Sequence, residues 1–199
     1  MVTVERGQAH TLEAIVAGLV LLSSLVFALQ MTAVTPLSAS TSSQHIENQQ
    51  RAAASGVLAA AAENGTLRDA ALYWNESAGR FHNVSRLGYY TDETPDGLAL
   101  ARMLDRTYAD SVAFNVYLVY GLPDGGANRV RLIYRGVPSD NAVTAARNVV
   151  LTDNATLIAE DGTETTVPVS NSSTFYAPEL HDGSPVYNVI RVEVVAWRI

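Results

Sequence analysis

Residues 14–37 read AIVAGLVLLSSLVFALQMTAVTPL, and no charged side chain occurs between Glu13 and Glu47. The stretch from 14 to 34, at about 1.5 Å per residue, makes a helix of about 31 Å, which matches the ~30 Å hydrocarbon core of a bilayer. Its polar side chains are only Ser23, Ser24, Gln30 and Thr32, and none is charged, whereas a soluble helix of this length shows a polar face. The sequence therefore predicts one transmembrane helix over residues 14–34.

The charges on either side of this helix predict its orientation. Arg6 precedes the helix, and the first basic residue after it is Arg51. By the positive-inside rule, residues 1–13 lie in the cytoplasm and the chain after the helix is extracellular. A secretory signal cleaved near Ala39 is the alternative, although the apolar region of such signals is shorter, at about 7–15 residues.

Glu13 comes directly before the apolar run. A carboxylate drawn into the membrane costs about 2–3 kcal/mol unless it finds a partner. Two interpretations are open: Glu13 sits in the first helical turn, where the helix dipole favours it, or it pairs with a cation of a neighbouring subunit.

Small residues recur along the same helix. Ala14 with Gly18, and Ser24 with Ala28, form two small-xxx-small pairs. Such pairs let two helices approach closely in lipid, so they predict an assembly face, although small residues are common in any membrane helix.

The residues before the helix resemble those of a known family. Arg6 and Gly7 match the end of a leader peptide, Gln8 and Ala9 match the start of a mature chain, and Glu13 matches the acidic residue that follows. This segment resembles archaeal type IV prepilin-like proteins. The closing pattern YNVIRV, residues 187–192, is similar to haloarchaeal pilin-like proteins of uncharacterised function.

The resemblance implies a maturation step and a mode of assembly. A prepilin-type peptidase would cut on the cytoplasmic side of the membrane, before or after Gln8, which makes Glu13 the sixth or fifth mature residue. Glu13 would then pair with the new amino terminus of an adjacent subunit. The expected function is a structural subunit of a surface filament or secretion apparatus, in a homo- or hetero-oligomer with other pilin-like subunits. The alternative is a membrane-anchored extracellular binding module, an adhesin or sensor domain that does not form filaments.

The rest of the chain predicts a linker over residues 35–43 and one α+β domain over 44–199. Ile46, Ala53, Val57 and Ala61 form one face of an amphipathic helix that Asn64-Gly65 ends. A second helix is expected over 95–108. Strands are expected at 113–120, 129–135, 145–152, 156–160, 164–169 and 186–197, the last of them central. Turn signals at 123–126 and 161–162 make two hairpins, and the fold expected is an amphipathic helix packed on a mostly antiparallel, pilin-like sheet.

Two side-chain patterns in this domain point to its surface. Arg129, Arg131 and Arg135 predict one cationic row on the outward face of a strand, which is either a solvated strand face or a surface for a partner. Asn-x-Ser/Thr sequons occur at five positions, and since glycans need exported surface sites, we expect some of these asparagines to be N-glycosylated. The five are Asn64, Asn75, Asn83, Asn154 and Asn171.

The amino-acid composition argues against several classes of function. The thirteen basic residues are all arginine, against twenty acidic residues, and this balance argues against nucleic acid and suits a salt-loving organism or a GC-rich genome. The chain has no cysteine, which rules out disulfides and thiolate chemistry. The four histidines form no metal-binding pattern with the acidic residues. We therefore expect no enzymatic activity, no catalytic or metal site, no cofactor and no small-molecule substrate.

Overall fold

A computed structural model describes the backbone of residues 3–108 and 111–199 and the side chains of residues 10–30, 44–108 and 111–199. The chain divides into two units, Met1–Ile46 and Glu47–Ile199. The first helix, α1 (Thr3–Glu63), contributes to both units. Its bounds enclose the predicted linker, residues 35–43, whose side chains lie outside the described ones.

The second unit is α+β, as predicted. After α1 come α2 (Thr66–Leu72), β1 (Trp74–Asn75), β2 (Arg80–Phe81), α3 (Ala99–Tyr108), β3 (Val112–Gly121), β4 (Ala127–Tyr134), β5 (Val143–Thr152), β6 (Thr156–Ile158), β7 (Glu164–Pro168), a 3₁₀ turn (Val169–Asn171) and β8 (Val186–Arg198). Three antiparallel sheets result, with strand orders β1-β2, β4-β3-β8-β5 and β6-β7. The central position predicted for the last strand is confirmed, because β8 lies between β3 and β5.

The helical part of this unit packs through apolar side chains. Ala54, Val57, Leu58 and Ala61 of α1 are buried, so the apolar face lies partly where predicted, although Ile46 and Ala53 are only half-buried. They share one core with α2, α3 and the inner face of the four-stranded sheet. The helix ends at Glu63, and Gly65 follows with a φ of 83°, a left-handed conformation that glycine adopts without strain.

Two helical details differ from the prediction. The helix expected from residue 95 begins at Ala99, because Pro95–Gly97 forms a turn pressed against the β6–β7 hairpin. The seven-residue helix α2 was not predicted, since it is too short to show a helical period.

The arginine row predicted on one strand face is wrong for Arg135. A β-bulge between Val116 and Tyr117 adds one residue to β4, so that Tyr117 pairs with Arg131 while Val116 pairs with Ile133. One extra residue in a strand turns the side chains after it to the opposite face of the sheet. Arg135 therefore does not share a face with Arg129 and Arg131. Its guanidinium contacts Asp105 at 2.7 Å and lies 4.0 Å from the centre of the Phe114 ring.

The beginning of the central strand β8 is held in place by Asn188, which belongs to the YNVIRV pattern. Its side chain is fully buried; it accepts a hydrogen bond from the Gly121 amide at 3.1 Å and donates to the carbonyls of Gly121 and Pro178. The neighbouring Tyr187 hydroxyl donates to the Ala177 carbonyl at 2.8 Å. The pattern therefore ties β8 to the end of β3 and to the loop before β8.

Candidate functional site

The helix over His10–Gln30 is long and apolar enough to span a membrane, and its apolar window is not buried in the protein. Its large apolar side chains are 48–69% exposed, and they occupy all sides of the helix. Covering such side chains releases about 1.5–3 kcal/mol each, so this surface strongly favours lipid or other helices as its surroundings. They are Leu12, Ile15, Val16, Leu19, Val20, Leu21, Leu22, Leu25, Val26, Phe27 and Leu29.

The two serines of this helix do not interrupt its apolar surface. Ser23 Oγ donates to the Leu19 carbonyl at 2.7 Å, and Ser24 Oγ donates to the Leu21 carbonyl at 2.8 Å. Both hydroxyls are thus satisfied within the helix, which removes most of their cost in hydrocarbon.

The predicted assembly residues fall on one side of the helix. At about 100° per residue, Ala14, Gly18, Ser24 and Ala28 lie within an arc of about 120°. A Cβ added to Gly18 would meet no other atom within 4 Å, so the described chain leaves this side open to a neighbour.

Glu13 is exposed, and its carboxylate lies 3.7 Å from Nδ1 of His10, one turn earlier. In the described helix Glu13 does not lie in the first turn, where the first-turn interpretation placed it. Helix α1 begins at Thr3, ten residues before Glu13, and the dipole effect fades beyond the first turn. The predicted leader-processing residues Arg6, Gly7, Gln8 and Ala9 lie outside those whose side chains the structure describes.

The five sequon asparagines lie at turns and short elements of the second unit. Asn64, Asn83, Asn154 and Asn171 are exposed, and Asn75 is half-buried in β1. Asn83 has a φ of 53°, and its Nδ2, the atom that would carry a glycan, donates to the carboxylate of Glu160. The sequons do not fall within the four strands of the large sheet.

Two of the sequons are joined by Glu76, the middle residue of the sequon at Asn75. Its carboxylate accepts hydrogen bonds from the Ser172 hydroxyl, from the Ser173 amide at 3.1 Å and from the Thr174 hydroxyl at 2.9 Å. Burial alone would raise the pKa of Glu76, but these hydrogen bonds outweigh it and hold the pKa below its usual value.

We expect Glu76→Gln to lower the free energy of unfolding at pH 7 by about 1 kcal/mol, because a near-surface charge-assisted contact is lost. The folded-state pKa is depressed, so this contribution is present above the unfolded pKa near 4.5 and is lost as the pH falls through the folded pKa. Thermal unfolding of both proteins between pH 7 and pH 3 should show the difference shrinking below about pH 4.5. A difference that stays constant over this range would contradict the charged contact.

An arginine groove of about 530 Å³ opens beside β4, the edge strand of the large sheet. Its walls include three arginines, and no acidic residue lines it among the described ones. The guanidinium of Arg129 lies 4.3 Å from the centre of the Tyr117 ring, and that of Arg131 lies 4.3 Å from Tyr134. The groove is lined by Trp74, Gly79, Arg80, Phe81, Leu87, Gly88, Tyr89, Arg129, Val130 and Arg131.

An acidic patch borders a second cavity of about 790 Å³, formed where the Pro95–Gly97 turn meets the β6–β7 hairpin. The patch consists of Asp96, Glu160 and Asp161. The Asp161 carboxylate accepts hydrogen bonds from the Thr163 hydroxyl and amide, and these lower its pKa. The three carboxylates are exposed and lie on a turn and a hairpin that pack tightly together.

The histidines of the second unit do not gather into a site. His82 is buried, with Nε2 2.9 Å from the Ile158 carbonyl and its ring edge-on to Tyr73 at 4.9 Å between ring centres. The described residues contain no group of three His, Asp or Glu side chains placed to hold a metal ion. The sequence gives no sign of this packing role, because an isolated histidine carries no burial signal.

Comparison with known proteins adds one assignment. The curated proteins and the solved structures give no match to this chain. One protein-family model, described as a family of unknown function (DUF7288), matches residues 6–196. The matched region includes both the apolar helix and the folded unit, and the chain therefore belongs to the DUF7288 family.

Proposed function

We propose that this chain is a pilin-like or pseudopilin-like structural subunit of an archaeal type IV pilus-type surface filament or secretion apparatus. The observation that carries the proposal is the exposed apolar helix over His10–Gln30, with the exposed carboxylate of Glu13 near its start. In this proposal, residues 1–13 face the cytoplasm, the helix crosses the membrane, and Glu47–Ile199 lies outside the cell. The apolar side chains then contact lipid before assembly and neighbouring helices after it.

The folded unit supports this proposal by its construction. Its sheet is antiparallel and is covered on its inner face by α1, α2 and α3, so it forms a stable body carried by a helix. The sequons lie away from the strands of the large sheet, where glycans would leave the sheet surface open. The partners are the membrane, other pilin-like subunits and a prepilin-type peptidase, and catalysis has no part in this function.

The mass of the N-terminal peptide of the natural protein, purified from membranes, tests the proposal. We expect the mature chain to begin at Gln8 or Ala9, with the apolar helix retained. A Gly7→Leu variant, which removes the small residue at the expected cut, should keep its leader. An intact leader in assembled wild-type protein would refute maturation by a prepilin-type peptidase. A soluble chain in the culture fluid beginning near residue 40 would instead support the cleaved signal.

A membrane-anchored binding module is the second candidate, and the arginine groove is the observation that favours it. A groove with three guanidinium groups and aromatic walls can hold an anionic ligand without any assembly of subunits. Such a protein would keep residues 1–13 and would be a monomer in detergent. The N-terminal mass and the size of the detergent-solubilised protein therefore separate the two functions.

A further inference from the structure

We propose that the arginine groove of one copy binds the acidic patch of a second copy, so that the folded units associate head to tail. The inference deepens the proposed function, on which it rests, by naming a second contact between subunits outside the membrane. It is carried by two surfaces on one folded unit that different residues line: the groove has three arginines, and the second cavity has three carboxylates and one arginine, Arg102.

The groove holds its guanidinium groups in place before any partner arrives. Arg129 and Arg131 stack on Tyr117 and Tyr134, and the ring of Tyr89 lies 5.4 Å from the guanidinium of Arg131. Stacking uses the face of a guanidinium and leaves its N–H edge for a carboxylate. For Arg129 this edge already faces Glu193 of the same chain, with Nη1 4.0 Å from Oε1. Because these side chains are already ordered, less conformational entropy is lost on binding.

The backbone that carries the acidic patch is also held in place. An added Cβ at Gly97 would lie 2.0 Å from the Glu160 carbonyl oxygen, so the turn and the hairpin are in direct backbone contact. The Tyr73 hydroxyl donates to the same carbonyl at 2.7 Å. Two of the three carboxylates are also held by hydrogen bonds, Glu160 by the Asn83 side-chain amide and Asp161 by the Thr163 hydroxyl and amide.

A second copy is the partner that charge favours. The chain carries a net charge of −7, so most of its surface repels another copy, whereas the arginine groove attracts the acidic patch. Two different surfaces that bind each other form a heterologous interface, which extends into an open chain unless the rotation closes a ring. An open chain is the geometry that a filament requires.

Two charge-reversal variants of the full-length protein test this contact. The groove variant carries Arg80→Glu and Arg131→Glu, and the patch variant carries Asp96→Arg and Glu160→Arg. We expect each variant alone to self-associate at least about tenfold more weakly than the wild type, because like charges face each other. An equimolar mixture of the two should regain association, since each reversed surface then meets a complementary one.

Sedimentation of the detergent-solubilised proteins at one fixed salt concentration measures the association. Arg147→Glu with Arg198→Glu is the matched control, because both arginines are exposed and lie outside the groove; it should associate like the wild type. Thermal unfolding verifies that each variant is folded. A mixture that remains unassociated overturns the proposal, and so does a wild-type groove that binds polyglutamate without any self-association.

The mixing experiment is independent of the processing experiment. Recovery in the mixture with an intact N-terminal leader would support the head-to-tail contact and refute the pilin-like function. A cleaved leader without recovery in the mixture would support the pilin-like function and refute the head-to-tail contact.

Discussion

Replacing Glu13 with alanine is expected to abolish assembly while leaving the protein in the membrane. In our proposal the helix over His10–Gln30 inserts into the membrane through its apolar surface, which the substitution leaves intact. In our proposal the carboxylate pairs with the amino terminus of an adjacent subunit, and this pair fixes the axial position of the helix among its neighbours. Membrane fractionation measures insertion, and electron microscopy of the cell surface measures filaments.

His10→Ala is the control for this prediction. His10 is the described neighbour of the carboxylate within the chain, with Nδ1 3.7 Å from the Glu13 carboxylate. If the partner that matters belongs to another subunit, His10→Ala should assemble normally. Normal filaments in Glu13→Ala would refute the paired-charge mechanism. Loss of filaments in His10→Ala would show instead that assembly depends on the contact between His10 and Glu13 within one chain.

The second large effect is expected for Gly97→Ala. The new Cβ would lie 2.0 Å from the Glu160 oxygen and 2.8 Å from the Gly162 nitrogen, both of them backbone atoms that cannot rotate away. The turn must therefore separate from the β6–β7 hairpin, which also displaces the carbonyl that accepts from Tyr73. We expect the free energy of unfolding to fall by about 2–4 kcal/mol, measured by urea denaturation.

Gly56→Ala provides the opposite control. Gly56 is an exposed residue of α1, and an added Cβ there would meet no atom within 4 Å. Alanine favours a helix over glycine by about 0.5–1 kcal/mol, so this variant should be slightly more stable than the wild type. Equal stability of the two alanine variants would show that the close contact at Gly97 does not restrict the fold.

The sequence predicted the elements whose pattern is local. The hairpin at residues 123–126 is confirmed, with Gly125 at a φ of 84° and β3 paired to β4, and so is the Asp161–Gly162 turn between β6 and β7. Alternating apolar residues predict strands, and turn-forming glycines predict hairpins. Both signals lie within a few neighbouring positions of the sequence.

The sequence did not predict features that depend on residues far apart in the chain. The bulge that removes Arg135 from the arginine row depends on how β4 pairs with β3, and no local pattern indicates it. The arginine groove joins Arg80 with Arg129 and Arg131, which are about fifty residues later in the chain. The hydrogen bonds between Glu76 and Ser172 likewise join two segments that only the fold brings together.

The central position of β8 has a consequence for how the protein is made. Strands β3 and β5 do not pair with each other in the large sheet. Each pairs with β8, residues 186–198, which lies between them. During synthesis from the N-terminus the apolar helix is made before the folded unit, and the large sheet is completed only when residues 186–198 have been made. Until then the edges of β3 and β5 that β8 covers remain unpaired, and unpaired strand edges favour aggregation.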